Sequence, residues 1–323
     1  MQVAVIDLGT NTFHLLIARV SEGRFRVIHK EKVPVEVGRG GINHGKITAD
    51  AYLRALSAMR HFKTLLDLHN TRQVVSTATS AFRSASNGEQ LLEDILQDTG
   101  IATRIIDGQD EASFIFEGVQ NALSLKSAPS LIMDIGGGSV EFIIANKTEI
   151  LWKDSFEIGV QRLADKFQHH DPILPSEHQH MLLYLLETLT PLHEAILEFN
   201  PVELIGSSGT FDTLFEIYRL RQGLNRERGV TELLLPVDPL REIFDQVFGM
   251  NHNQRLAVPG MIPMRADLII ESATLIQVAL QLSGASQIRV SLYGLKEGIL
   301  YSHFLLGPEA NILPIGNSSN SLL

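Results

Sequence analysis

The sequence has no cysteine and a single tryptophan, and its 323 positions hold 27 basic residues against 37 acidic ones. Without thiols there is no disulfide, no thiolate metal site and no cysteine nucleophile, and nothing points to an oxidising compartment. The formal charge of −10 argues against the broad basic face that holds nucleic acid, although it is equally the charge of an ordinary soluble protein. Long apolar runs are missing as well: Phe13 to Ala18 falls far short of the ~20 residues that span a bilayer. The N-terminus has no basic stretch followed by an apolar one, so no signal peptide is expected and the chain is placed in the cytoplasm, away from membranes. An acidic protein that handles a polyanion must gather cations locally, from a metal, a few arginines or lysines, and backbone amides.

What is present is a duplication. Val5 to Ala18 matches Ile132 to Ala145 without a gap at a constant offset of 127 residues (Asp7 to Asp134), and Glu36-Val37-Gly38 returns as Glu157-Ile158-Gly159. The shorter second offset requires only a smaller hairpin in between. Thr48 is placed to cap a helix carrying Tyr52, Leu56, Met59, Phe62 and Leu66, and one helix is expected over Met181, Leu185, Leu189 and Leu192. Strands follow around residues 73–76 and 202–205, so the order β-β-β-α-β-α is read twice. With 44% hydrophobic residues, the expectation is two related lobes, residues 1–123 and 124–296, facing each other across a cleft. A C-terminal helix at about 297–312 is expected to pack back on the first lobe, and 316–323 to be a frayed tail.

The loops after the repeated aspartates do not open helices, which disfavours dinucleotide and Walker-type readings. Each joins two strands of a hairpin whose far turn lies at Ser21-Glu22-Gly23 or Asn146-Lys147. Gly136-Gly137-Gly138-Ser139 and Gly9-Thr10-Asn11-Thr12 supply successive amides and hydroxyls suited to phosphoryl oxygens. Asp7 and Asp134 sit on apolar strands, where an unpaired carboxylate is costly. Either a hard divalent cation compensates them or each accepts hydrogen bonds from its own loop. Glu141 falls on the same strand face as Ser139 and can share the cleft with Asp134. His14 holds the equivalent place in the first copy and has no role assigned. His169, His170, His178 and His180 read as solvated rather than as a zinc site.

Taken in order, Asp7 to Thr12, Thr79-Ser80-Ala81-Phe82-Arg83, Asp107 to Ala112, Asp134 to Glu141 and Gly206-Ser207-Ser208-Gly209-Thr210 make the chain resemble the exopolyphosphatase / guanosine pentaphosphate phosphohydrolase family from Met1 to about Leu306. The resemblance implies an α/β protein of two ribonuclease-H-like lobes in the actin-like (sugar kinase, Hsp70, actin) fold. It implies hydrolysis of terminal phosphate from inorganic polyphosphate or from the 5′ γ-phosphate of guanosine pentaphosphate, with Mg²⁺ or Mn²⁺, by a homodimer. Glu111 then corresponds to the base that activates water, Asp7, Asp134 and Glu141 to metal ligands, and Arg83 with Gly206 to Thr210 to phosphate-binding elements. Arg265 matches a family segment as a candidate substrate contact. Longer members carry a further C-terminal helical domain that this sequence does not, so weak processivity on long chains is expected. An actin-fold kinase, a nucleotide-dependent filament or scaffold protein, and a degraded alarmone binder stay open; phosphate release without an acceptor, or nucleotide-triggered sedimentation, separates them.

Overall fold

The computed structural model describes residues 1–305 except residue 228. The tail 316–323 and the end of the expected C-terminal helix lie outside the described residues. In chain order the first part holds β1 (Gln2–Leu8), β2 (Thr12–Ser21), β3 (Arg24–Pro34), α1 (Ala49–Leu68), β4 (Gln73–Ala78), α2 (Ser80–Ser84), α3 (Gly88–Thr99), β5 (Arg104–Ile105) and α4 (Gly108–Ala122). The second holds β6 (Ser130–Ile135), β7 (Val140–Ala145), β8 (Ile150–Phe156), α5 (Val160–Phe167), α6 (Pro175–Thr188), α7 (Thr190–Phe199), β9 (Leu204–Ser207), α8 (Gly209–Arg221), β10 (Glu232–Pro236), α9 (Val237–Phe248), α10 (His252–Leu256), α11 (Pro263–Ala266), α12 (Ile269–Ser283), β11 (Gln287–Ser291) and α13 (Leu295–Phe304).

The strands form two sheets, ordered β3-β2-β1-β4-β5 and β10-β11-β9-β6-β7-β8. In each, an antiparallel three-strand meander continues through a parallel strand, which is the repeated ribonuclease-H-like pattern of an actin-like fold. The longer β2–β3 hairpin against β7–β8 accounts for the change in repeat offset. One expected helix is two: the chain breaks at Leu189 between α6 and α7, because Pro191 opens the second helix and cannot continue the first.

Both sheets are covered on both faces, and the period-two alternation of side chains assigns each residue to a face. Ala4, Ile6 and Leu8 pack with Met59 and Phe62 of α1, while Val3 and Val5 turn the other way onto Ile299 and Leu300 of α13. In the second sheet Leu131 and Met133 meet Met181 and Ile276, while Ile132 and Ile143 meet Ala112, Ile115 and Val119 of α4. The two inner helices are therefore exchanged: α4 follows the first sheet in sequence but lies on the second, and α13 follows the second but lies on the first. The boundary expected after residue 123 falls just behind α4, whose packing surface belongs to the other lobe. The helices cross so closely that a methyl on Gly118 or Gly298 would overlap the backbone at Gly294 or Phe114.

Candidate active site

The two hairpin loops are built alike. Asp7 pairs with His14 across β1 and β2, as Asp134 does with Glu141 across β6 and β7. Gly9 N donates to Thr12 O at 3.2 Å, and Gly136 N to Ser139 O at 3.0 Å. Chain following the third strand of each meander then claims the loop carbonyls. Val35 N and Gly38 N donate to Asn11 O (3.0 Å) and Thr10 O (3.1 Å), and Gly159 N and Gln161 N to Gly138 O (3.0 Å) and Gly137 O (2.9 Å). The amides of Thr10, Asn11, Gly137 and Gly138 have no backbone acceptor among the described residues. With carbonyls turned away and amides free, each loop has the geometry of a concavity suited to an anion. Gly159 has to be glycine, since a Cβ there would fall on the Gly137–Gly138 peptide.

The loops face one cavity of about 380 Å³, lined also by Glu111, Ser207, Ser208, Gly209 and Arg265. Asp7, Asp134, Glu141 and Glu111 are among the carboxylates that line it. Burial pushes Asp7 up to about 7, against the pull of Lys296, and raises Asp134 too. Glu141 is 1% exposed and burial lifts it to about 7, with Ser155 Oγ donating to its Oε1 at 2.7 Å. Glu111, in the first turn of α4, is 6% exposed. Burial and then the charge of Glu141 hold it well above the ordinary range, opposed by Arg83. Arg83 Nη1 donates to its Oε2 at 2.7 Å, and no hydrogen bond engages Oε1 among the described residues.

Several expected contacts lie elsewhere. Arg83 does not line the cavity: its guanidinium stands behind Glu111 and also meets Ile106 O (3.0 Å) and Glu157 Oε1 (3.4 Å). Gly206 and Thr210 sit behind the wall that Ser207 to Gly209 form, Gly206 under the Phe211 ring. Ser208 takes a φ of 104°, a strained value of the kind that clusters at functional loops. Thr210 Oγ1 accepts from Arg265 Nη1 at 3.3 Å, and Arg265 Nε has no partner among the described residues. Arg265 thus brings an unsatisfied donor to the cavity. The histidines expected to be solvated are not all so: His169 Nε2 meets the buried Glu271 at 3.0 Å, and His178 stacks on Phe248 with ring centroids 4.2 Å apart.

Sequence reasoning missed the cationic side of the cavity, lined by Lys30, Lys32, Arg226 and Lys296. Glu297, 2% exposed, holds two of these from behind, Lys30 at 3.3 Å and Lys296 at 3.5 Å, and accepts Gly294 N at 3.1 Å. The spacing of Lys30 and Lys32 on one strand face was legible; the return of α13 to the first sheet, which delivers Lys296, was not.

A divalent cation fits part of the expected donor set. Asp7 Oδ1 is buried without a partner among the described residues, and Asp7 and Asp134 both line the cavity. Mg²⁺ is held in this manner by one or two carboxylates, with water and substrate oxygens completing the shell. A closed cage is not formed, since among the described residues no three acidic or histidine side chains converge to hold a metal. Glu141 lines the same cavity as the two aspartates, with its Oε1 engaged by Ser155.

Comparison with known proteins bears on this cavity. The model of the Ppx/GppA phosphatase family matches residues 16–306. Exopolyphosphatase 2 of Mycobacterium tuberculosis is 30% identical over 318 residues, covering 93% of this chain and 98% of that protein. The crystal structure of an exopolyphosphatase from Cytophaga hutchinsonii superposes with a TM-score of 0.91 at 44% identity, covering 94% of this chain and 97% of that one. A guanosine-5′-triphosphate,3′-diphosphate pyrophosphatase of Vibrio parahaemolyticus is 27% identical over 299 residues, 92% of this chain and 58% of that protein.

Proposed function

Because the chain belongs to the Ppx/GppA phosphatase family, we propose that it hydrolyses the terminal phosphate of a phosphoanhydride, inorganic polyphosphate or guanosine pentaphosphate, with Glu111 as the base. What carries the reading is the placement of a buried glutamate with one free oxygen beside two amide-lined loops in a single cavity. The free amides of Thr10, Asn11, Gly137 and Gly138 grip the terminal phosphoryl oxygens, with Lys296 and Arg265 balancing charge. Glu111 Oε1 takes the proton as a water oxygen bonds to phosphorus and the bridging P–O bond breaks. Arg83 fixes Oε2 and keeps the carboxylate aimed. Asp7 and Asp134 would hold Mg²⁺ or Mn²⁺, which when bound supplies charge stabilisation to the phosphoryl oxygens.

A homodimer, a cytoplasmic location and lobes at residues 1–123 and 124–296 complete the proposal. Among the described residues no helix is long and apolar enough to cross a membrane.

The test is phosphate release without any acceptor from tripolyphosphate, long polyphosphate and guanosine pentaphosphate. Glu111→Gln is expected to lower kcat by ~10²- to 10⁴-fold, the usual share of a general base, with the melting curve retained. A folded variant of full activity overturns the assignment of the base.

A further inference from the structure

The cavity has a second acidic feature that the proposed chemistry leaves unused. Asp212 projects from the first turn of α8 into the same space as Lys30, Lys32, Arg226 and Arg265. Burial raises its pKa, opposed by the fields of Lys32, Lys296 and Lys30, which favour the ionised form. Arg265 lies within the field of both Asp212 and Asp134. Asp7, Asp134, Lys296, Arg265, Asp212 and Lys32 all line this one cavity. Despite these neighbours, Asp212 Oδ1 is buried and has no hydrogen-bond partner among the described residues.

An acid in the first turn of a helix ordinarily offsets the helix dipole. That role is filled as well by a carboxylate facing water and does not call for a buried, unpartnered oxygen in a cavity built for anions. An ionised carboxylate only accepts hydrogen bonds. A bare polyphosphate chain brings acceptors and negative charge at every unit, so at this place it meets repulsion and leaves Oδ1 unsatisfied. A nucleoside brings N–H and O–H donors, and a guanine edge or a ribose diol offers two side by side.

Resting on the hydrolase reading above, we infer that Asp212 is a specificity-determining residue: it selects phosphoanhydrides whose far end carries a nucleoside's hydrogen-bond donors over bare polyphosphate chains. Sites that hydrogen-bond a substrate group discriminate strongly against analogues lacking it, because their own polar atoms are then left unpaired.

The experiment compares kcat/KM for guanosine pentaphosphate and inorganic tripolyphosphate in the wild type, Asp212→Asn and Asp212→Ala. The ratio between the two substrates is expected to shift at least about tenfold toward tripolyphosphate in both variants. A ratio that stays within about threefold of wild type, with both substrates falling together or neither changing, overturns the inference and leaves Asp212 a counter-ion of the lysines. Equilibrium binding of the same two compounds in EDTA reads the same ratio without turnover. If the wild type releases phosphate from neither compound, the hydrolase reading has failed, and the binding ratio still decides the role of Asp212.

Discussion

The hairpins that face each other across the cleft place Asp7 and Asp134 at the same register and close their turns with the same amide-to-carbonyl bond. Seven residues past each aspartate they part company. The second lobe has Glu141, lifted by burial and set beside Glu111. The first has His14, which burial and the neighbouring lysines keep neutral. The clamps differ as well. Gly159 presses its Cα against the loop backbone itself, whereas a methyl on Gly38 would meet the side-chain ends of Thr10 and Ile42. One copy of the duplicated turn thus carries two acids across the hairpin, while the other carries an aspartate and a neutral histidine.

The largest break in that symmetry concerns turnover. Glu141→Gln is expected to lower kcat on short polyphosphate by ~10²-fold or more, and His14→Gln by less than about tenfold; equal losses would mean the two hairpins still act as equivalents. Next comes packing. Gly159→Ala is expected to cost ~1–3 kcal/mol, as overpacking against backbone does, and to weaken phosphate binding, with Gly38→Ala costing clearly less because side-chain ends can turn aside. Urea midpoints decide this, and a reversed order would show that the first loop is the rigid one.

The smallest effect compares two histidine–glutamate pairs. In the second lobe the hydrogen bond with Glu271 raises the His169 pKa, so its stabilisation is full below the unfolded value near 6.5 and fades as pH rises through the higher folded value. His169→Gln is therefore expected to cost ~1–2 kcal/mol at about pH 5.5 and less at about pH 9. The first-lobe pair of His61 with Glu31 (2.7 Å) has side chains 48% and 30% exposed, and His61→Gln is expected to change stability by no more than ~0.5 kcal/mol. A cost for His169→Gln that grows with pH would remove the buried pair from the account.

Much of the fold was legible because the duplication supplied its own alignment: the equivalence of Asp7 with Asp134 and of His14 with Glu141 follows from matching the copies. The loops were legible because their glycines and hydroxyl residues stand where two strands meet. The surroundings of Arg83 were not legible because adjacency to a phosphate-like loop in sequence does not say which carboxylates will engage a guanidinium, here Glu111 and Glu157. Lys296 and Asp212 escaped notice for a related reason. Both sit in the first turn of a helix, where the acid Asp212 has an everyday explanation in the helix dipole and the cation Lys296 has none, and only the way α13 and α8 meet the cleft shows what each faces. The break at Leu189, by contrast, was written in Pro191 and needed no tertiary knowledge.

The exchange of α4 and α13 gives the chain a property that neither sheet has by itself. Each half carries the other's cover, Ala112, Ile115 and Val119 going one way and Ile299 and Leu300 the other, with backbones touching at Gly118 and Gly298. A polypeptide cut between residues 123 and 130 would yield two fragments, each bearing a bare apolar sheet face and a homeless helix whose proper seat is on its sibling. Such fragments are built to reassemble as a pair rather than to persist singly, and Glu111 and Lys296, riding at the heads of the traded helices, would regain their places only in the reunited molecule.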